Sequence, residues 1–333
     1  MPDNNNLYKK WIQLIFISEI ILILTYAMFI ILGYKEFTVW SQVGDYLFDS
    51  SFTERSNTLF QLFADKHPHA MRISLIYPIF QLADILNINV LTLYSVTILL
   101  LFILMYKLLL SVLKYYSITH MTSFILIFLL ILSLFMHGRI AFAMFGNTLI
   151  LYVLFIKIHF PSKMNTMKSV LYLATALWFC SVSSGTLMVA IGTIMLFYSL
   201  RILIELPYIQ KKYITLFALL IVLLILASPI ILQLVNKNLN YYDGSFIHML
   251  DHGFGKYILK YFYLIGILLV ISPYLLIKSI NFFKKSKEFI LPLSMIIASL
   301  SIGLFGFSSL VSGLSAYILF IYMYLNKNNL KVS

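Results

Sequence analysis

Residues Ile73–Ile88 read ISLIYPIFQLADILNI, and whether they cross a membrane fixes the orientation of all that follows. The segment is largely apolar, yet it holds Pro78, Gln81 and Asp84. As an α-helix it would rise only about 24 Å, short of the roughly 30 Å hydrocarbon core of a bilayer. Ser74, Tyr77, Gln81 and Asp84 recur at i, i+3, i+7 and i+10, on one helical face, and Ile73, Ile76, Phe80 and Ala83 form the other side. A helix with a single polar stripe lies in an interface or lines a cavity. Segment 73–88 is therefore expected to be an amphipathic or re-entrant helix on the outer face.

The surrounding sequence sets that question in a membrane. Hydrophobic residues make up 61% of the 333 positions and charged residues 11%, against roughly 45–50% and about 25% in soluble domains. The chain is predicted to be an all-α, polytopic membrane helix bundle, a single transmembrane domain over 1–333. Apolar runs near 11–32, 90–110, 121–136, 140–156, 169–183, 185–200, 214–235, 257–280, 289–304 and 307–325 predict ten spans. The first run follows a short basic region, is too long for a signal-peptide core and has no small-x-small cleavage site after it, so it is expected to remain as a span.

Lysine placement orients the bundle. If 73–88 does not span and the N-terminus is cytoplasmic, the inner segments hold Lys9, Lys10, Lys107, Lys114, Lys157, Lys163, Lys168, Arg201, Lys211, Lys212, Lys278, Lys284, Lys285, Lys287, Lys327 and Lys331, which is 16 of the 24 basic residues, against Asp3, Glu205 and Glu288. The alternative moves all of these except Lys9 and Lys10 outward and brings in Arg139, Lys237, Lys256 and Lys260. The first arrangement follows the positive-inside rule and the second violates it. Both termini are expected inside. The same rule accounts for the net charge of +12 without a nucleic-acid partner. The one cysteine, Cys180, lies in an apolar run, which excludes a disulfide framework and fits a small buried hydrophobe.

With this orientation the polar residues gather on one side. The outer loops 33–72 and 236–256 carry Asp45, Asp49, Glu54, Asp65, His67, His69, Arg72, Asp243, His248, Asp251 and His252. The hairpin in LSLFMHGRIAFAMFGNTLIL, residues 132–151, adds His137 and Arg139, and the short turns SVSSGT, 181–186, and GFSS, 306–309, point the same way. The cytoplasmic loops are short and simply basic, so any chemistry is expected to face outward. Arg139 carries the most weight. An arginine at the outer end of a span runs against the usual sidedness, and its fork of donors suits phosphate or pyrophosphate; the competing role is a snorkelling anchor. Asp45 and Asp243 are candidate general bases. His67, His69, Arg72, His137, His248, Asp251 and His252 are candidate substrate contacts, with solvated loop positions as the alternative. The His67–Pro68–His69 spacing lacks a third ligand nearby, so no metal site is expected. Glu19, inside the first run, would pair with a polar group of the bundle or carry a proton.

The pieces VGDYLFD after the first run, HPHAMRISLIYPIFQLADILNIN, and above all HGRIAFAMFGNTLILYVL resemble bacterial polysaccharide polymerases of the Wzy and EpsG type, multi-span enzymes distantly like C-type glycosyltransferases. In that family an arginine often opens a span that begins with small residues; here Ile140, Ala141, Phe142 and Ala143 follow Arg139, so two of the four are small. Gly44, Asp45 and Tyr46 are also similar to a recurrent family piece. The resemblance implies transfer of a glycan on undecaprenyl pyrophosphate to a new lipid-linked repeat unit at the outer face of a bacterial inner membrane. It implies no cofactor. It implies as partners the lipid-linked oligosaccharide, membrane lipid, a flippase and a chain-length regulator. Trp40, Tyr46, Tyr241 and Tyr242 would stack on sugars or belt the membrane interface. A transporter or flippase of lipid-linked glycans, and an enzyme adding one sugar, are the competing readings.

Overall fold

The computed structural model describes residues 51–65, 70–116, 121, 123–133, 138–205, 232, 235–236, 239–240, 244–245, 248, 289–304 and 306–325. The described residues are all-helical, with no strand among them. In chain order the helices are α1 (Phe52–Ala64), α2 (Ala70–Leu86), α3 (Val90–Tyr115), α4 (Ser123–Ser133), α5 (Arg139–His159), α6 (Thr166–Cys180), α7 (Ser184–Glu205), α8 (Ile290–Gly303), α9 (Phe307–Ser312) and α10 (Leu314–Leu325).

Three of these are long and apolar enough to cross a membrane: Thr92–Tyr115, Arg139–His159 and Ser184–Arg201. Three more are apolar but shorter, Thr166–Cys180, Ile290–Gly303 and Leu314–Leu325. The described residues are thus all-helical, with three helices fit by length and composition to cross a membrane. The runs expected at 11–32 and 257–280, and that at 214–235 apart from Leu232 and Val235, lie outside the described residues. Of the three long helices α5 is the most enclosed: every residue from Ile140 to Leu151 is buried.

The helices divide between two compact units. One comprises the chain up to Tyr106 and Thr122–Phe142; the other comprises Lys107–Met121 and the chain from Ala143 onward.

In the first unit, the expected loop 33–72 contains α1, and the amphipathic segment 73–88 is a continuous helix at Ala70–Leu86 with Pro78 inside it. Ser51 opens α1 with a capping box. Its hydroxyl accepts from the Glu54 N–H at 3.4 Å, and the Glu54 carboxylate accepts from the Ser51 N–H at 2.7 Å. The bonds from the Ser51 backbone and side chain hold the Glu54 carboxyl below the usual carboxylate range. Asn87 ends α2 in the left-handed region, φ 51°. The Ile88 N–H donates to Ala83 O at 2.9 Å and the Asn87 N–H to Asp84 O at 3.1 Å, the two bonds of a Schellman closure. That closure leaves only residues 87–89 between α2 and α3.

In the second unit, the run expected at 307–325 is not one helix. It breaks at Gly313 into α9 and α10. A Cβ on Gly313 would lie 2.6 Å from Ser299 Cβ, so the break sits where the chain presses against α8. The expected turn 181–186 is also shorter, because α7 begins at Ser184. α8 packs along α7 and also against α9 and α10. Small residues bring other helices close as well: on α5, a Cβ on Gly146 would meet Ala176 O and Cys180 Sγ of α6 at 2.7 Å, and on α7, one on Gly185 would meet Ser309 Oγ of α9 at 2.4 Å. Close backbone approach through small residues is the usual packing of helices in lipid.

Candidate functional site

The residues around Arg139 fold locally for clear reasons. Gly138 adopts φ +76°, open to glycine and strained for side chains. A Cβ there would also strike Ile98 Cδ1 at 2.0 Å. Its torsion favours glycine, and any side chain there would also displace the end of Ile98. The Gly138 carbonyl accepts from the Ala141 N–H at 3.0 Å, and α5 starts at once with Arg139 as its first residue. Phe142, one turn on, is buried and stacks on Tyr94 with centroids 6.1 Å apart. The half-buried guanidinium of Arg139 thus belongs to the first turn of the most enclosed spanning helix. Unpaired N–H groups and the helix dipole make such a first turn attractive to anions.

Of the other candidates, Arg72 sits half-buried in the first turn of α2. His248 is exposed, and its backbone N–H donates to Ser245 Oγ at 3.3 Å. Asp45, His67, His69, His137, Asp243, Asp251, His252 and Glu19 lie outside the described residues. Among the described residues no group of three or more His, Cys, Asp or Glu side chains is placed to hold a metal ion.

The polar stripe of α2 meets α1. Asp84 pairs with Arg55, a residue only 6% exposed whose guanidinium also lies 5.6 Å from the centroid of Phe80. Ser56 Oγ and Tyr77 OH are 2.6 Å apart, and Gln81 Nε2 donates to Tyr77 OH. Ser74 turns back onto Met71 O. The stripe is thus one side of a polar seam, and Arg55 is a residue that the sequence reading passed over. The motif Ser51-x-x-Glu54 was its signal: it marks a helix N-cap four residues before Arg55.

A second polar seam lies in the other unit. Asn147, fully buried on α5, donates from Nδ2 to Ser312 O at 3.1 Å. That carbonyl stands at the break before Gly313, where the Ala316 N–H bonds to Gly313 O at 3.0 Å. Asn147 Oδ1 in turn accepts from Cys180 Sγ at 3.5 Å. Cys180 is buried as expected, and it also engages Ala143 O at 3.8 Å. Thr186 Oγ1 donates to the Cys180 carbonyl at 2.6 Å. In lipid, backbone exposed by a helix break needs a partner from the protein, and Asn147 is that partner.

Comparison with protein-family models, with curated proteins and with solved structures finds no match. The chemistry of the chain therefore rests on its own residues.

Proposed function

We propose that the protein is a ten-span enzyme of the bacterial plasma membrane, with both termini cytoplasmic. Its reaction is the joining of undecaprenyl-pyrophosphate-linked oligosaccharide repeat units into a surface polysaccharide such as O antigen, on the extracytoplasmic face. The observation that carries this reading is Arg139 at the start of α5: a guanidinium and a helix N-terminus together at one end of an enclosed spanning helix. In the proposed reaction Arg139 grips the pyrophosphate of the donor. As the acceptor hydroxyl attacks the anomeric carbon, the bond to the pyrophosphate oxygen breaks, and the guanidinium stabilises the charge on the departing lipid pyrophosphate. A carboxylate, Asp45 or Asp243, takes the hydroxyl proton. Arg72 and the loop residues His67, His69, His137, His248, Asp251 and His252 contact the sugars and phosphates.

Deleting the gene is expected to leave lipid-anchored glycans one repeat long; a normal ladder removes the reading. Arg139→Lys keeps the charge and loses the bidentate fork, so it should lose activity by roughly 100- to 1000-fold, the usual cost of one charge-stabilising donor, at unchanged protein abundance. Near-normal glycan length in Arg139→Lys would make the residue a snorkelling anchor.

One observation favours transport of lipid-linked glycans instead. The break at Gly313, with its carbonyl held by Asn147, has the form of the interrupted helices that build transporter sites. Purified protein in vesicles separates the two readings: a polymerase lengthens the glycan, whereas a flippase moves it across the bilayer at constant length.

A further inference from the structure

The α1–α2 hairpin has the surface of a soluble helix pair turned inside out. Arg55 pairs with Asp84 and Ser56 with Tyr77 between the helices, and Gln81 donates to Tyr77 from one turn along α2. One outer face is apolar. Met71, Pro78, Leu82 and Ile85 follow at i, i+7, i+11 and i+14, and all four are exposed. They form one stripe about 21 Å long at the rise of an α-helix. Ile85 is 70% exposed, and Leu86 and Ile88 carry the patch to the end of the helix. On α1, Phe60 is 77% exposed and Phe63 lies one turn away, while Glu54, Asn57, Gln61 and Asp65 occupy a separate exposed side.

A patch of this kind needs a partner, and the chain itself indicates which. Only residues 87–89, held by the Schellman closure, separate the stripe from α3, which is apolar enough to cross a membrane from Thr92. The stripe therefore ends where the chain enters the bilayer. We infer that the hairpin seats this face in the acyl chains of the leaflet at which α3 begins. Met71, Leu82, Ile85 and Phe60 contact lipid, and the polar side of α1 is left to headgroups and water. The Arg55–Asp84 pair and the Ser56–Tyr77 contact hold the guanidinium and the hydroxyls between the helices, away from the hydrocarbon that this position would otherwise expose them to. The inference is independent of the reaction the protein carries out.

The test uses the full-length protein with its three native tryptophans replaced by phenylalanine, reconstituted into phosphatidylcholine–phosphatidylglycerol vesicles. Single tryptophans are placed by Leu82→Trp, Ile85→Trp and Phe60→Trp, with Gln61→Trp as the contrast. Lipids brominated on their acyl chains should quench the first three at least twofold more than Gln61→Trp, and aqueous acrylamide should show the reverse order. Three separate positions keep the result readable if one variant does not insert. Quenching of the three by acrylamide alone would place the stripe in water, and quenching by neither agent would place it under protein. Either result overturns the inference.

Discussion

Asn147→Leu tests whether the broken helix is held from α5. Leucine is nearly the shape of asparagine, so the space stays filled while the hydrogen bond to Ser312 O is lost. The cost follows from the geometry. The bond is made at 3.1 Å by a fully buried amide, to a carbonyl beside a break whose next N–H bonds elsewhere. A buried group deprived of its partner costs about 1–3 kcal/mol; hydrogen bonds between helices in membranes average nearer 0.6 kcal/mol, because alternative partners exist. The carbonyl at the break is fixed by backbone, so the higher range applies. At about 1.4 kcal/mol per tenfold, openings of this seam should become about 5- to 140-fold more frequent. The protein carries its own reporter, since Cys180 is the single cysteine and is fully buried against Asn147. A thiol-reactive dye on the reconstituted protein reads the opening directly. Asn147→Ala should label faster still, because it adds a cavity, and Thr175→Ala on α6 should match the parent. Labelling of Asn147→Leu within twofold of the parent would refute the argument that this amide holds the break.

Gly146→Ala should destabilise by about 1–3 kcal/mol, because the added carbon meets Ala176 O at 2.7 Å and backbone must move; a thermal shift in detergent checks it. Asp84→Asn removes the carboxylate facing Arg55. A fully buried pair would lose about 3–5 kcal/mol, but the Asp84 side chain is 44% exposed, which reduces the expected loss to roughly 1–2 kcal/mol. Replacing both residues together, Arg55→Met with Asp84→Leu, should restore much of it in the same melt. The depressed Glu54 carboxyl makes the α1 cap pH-dependent: its stabilisation is present above the ordinary glutamate range and is lost as pH falls through the lowered value. Amide exchange in the first turn of α1 should gain protection with rising pH through that window, and Glu54→Gln, which removes the titrating carboxyl, should abolish the dependence.

Composition and hydropathy were enough to predict an all-helical chain with helices fit to cross a membrane, because a bilayer demands long apolar helices and little else of the sequence. The helices expected near 90–110, 140–156, 185–200 and 289–304 stand within a few residues of their runs. The polar stripe of 73–88 was legible from its period. What it faces was not: a periodicity names a face, and the partner, Arg55, lies 29 residues away in a stretch read as loop. The residues from Ile140 onward give α5 its helix, but the packing of Gly138 against Ile98 depends on another helix. The break at Gly313 was hidden because apolar residues continue through it. Hydropathy sees side chains, whereas the break exists through backbone pressed on Ser299 and an amide arriving from Asn147, 165 residues earlier. Local pattern determined where the helices are; which polar groups meet inside them was decided by tertiary packing, since a buried group is satisfied by whatever the fold brings within 3 Å.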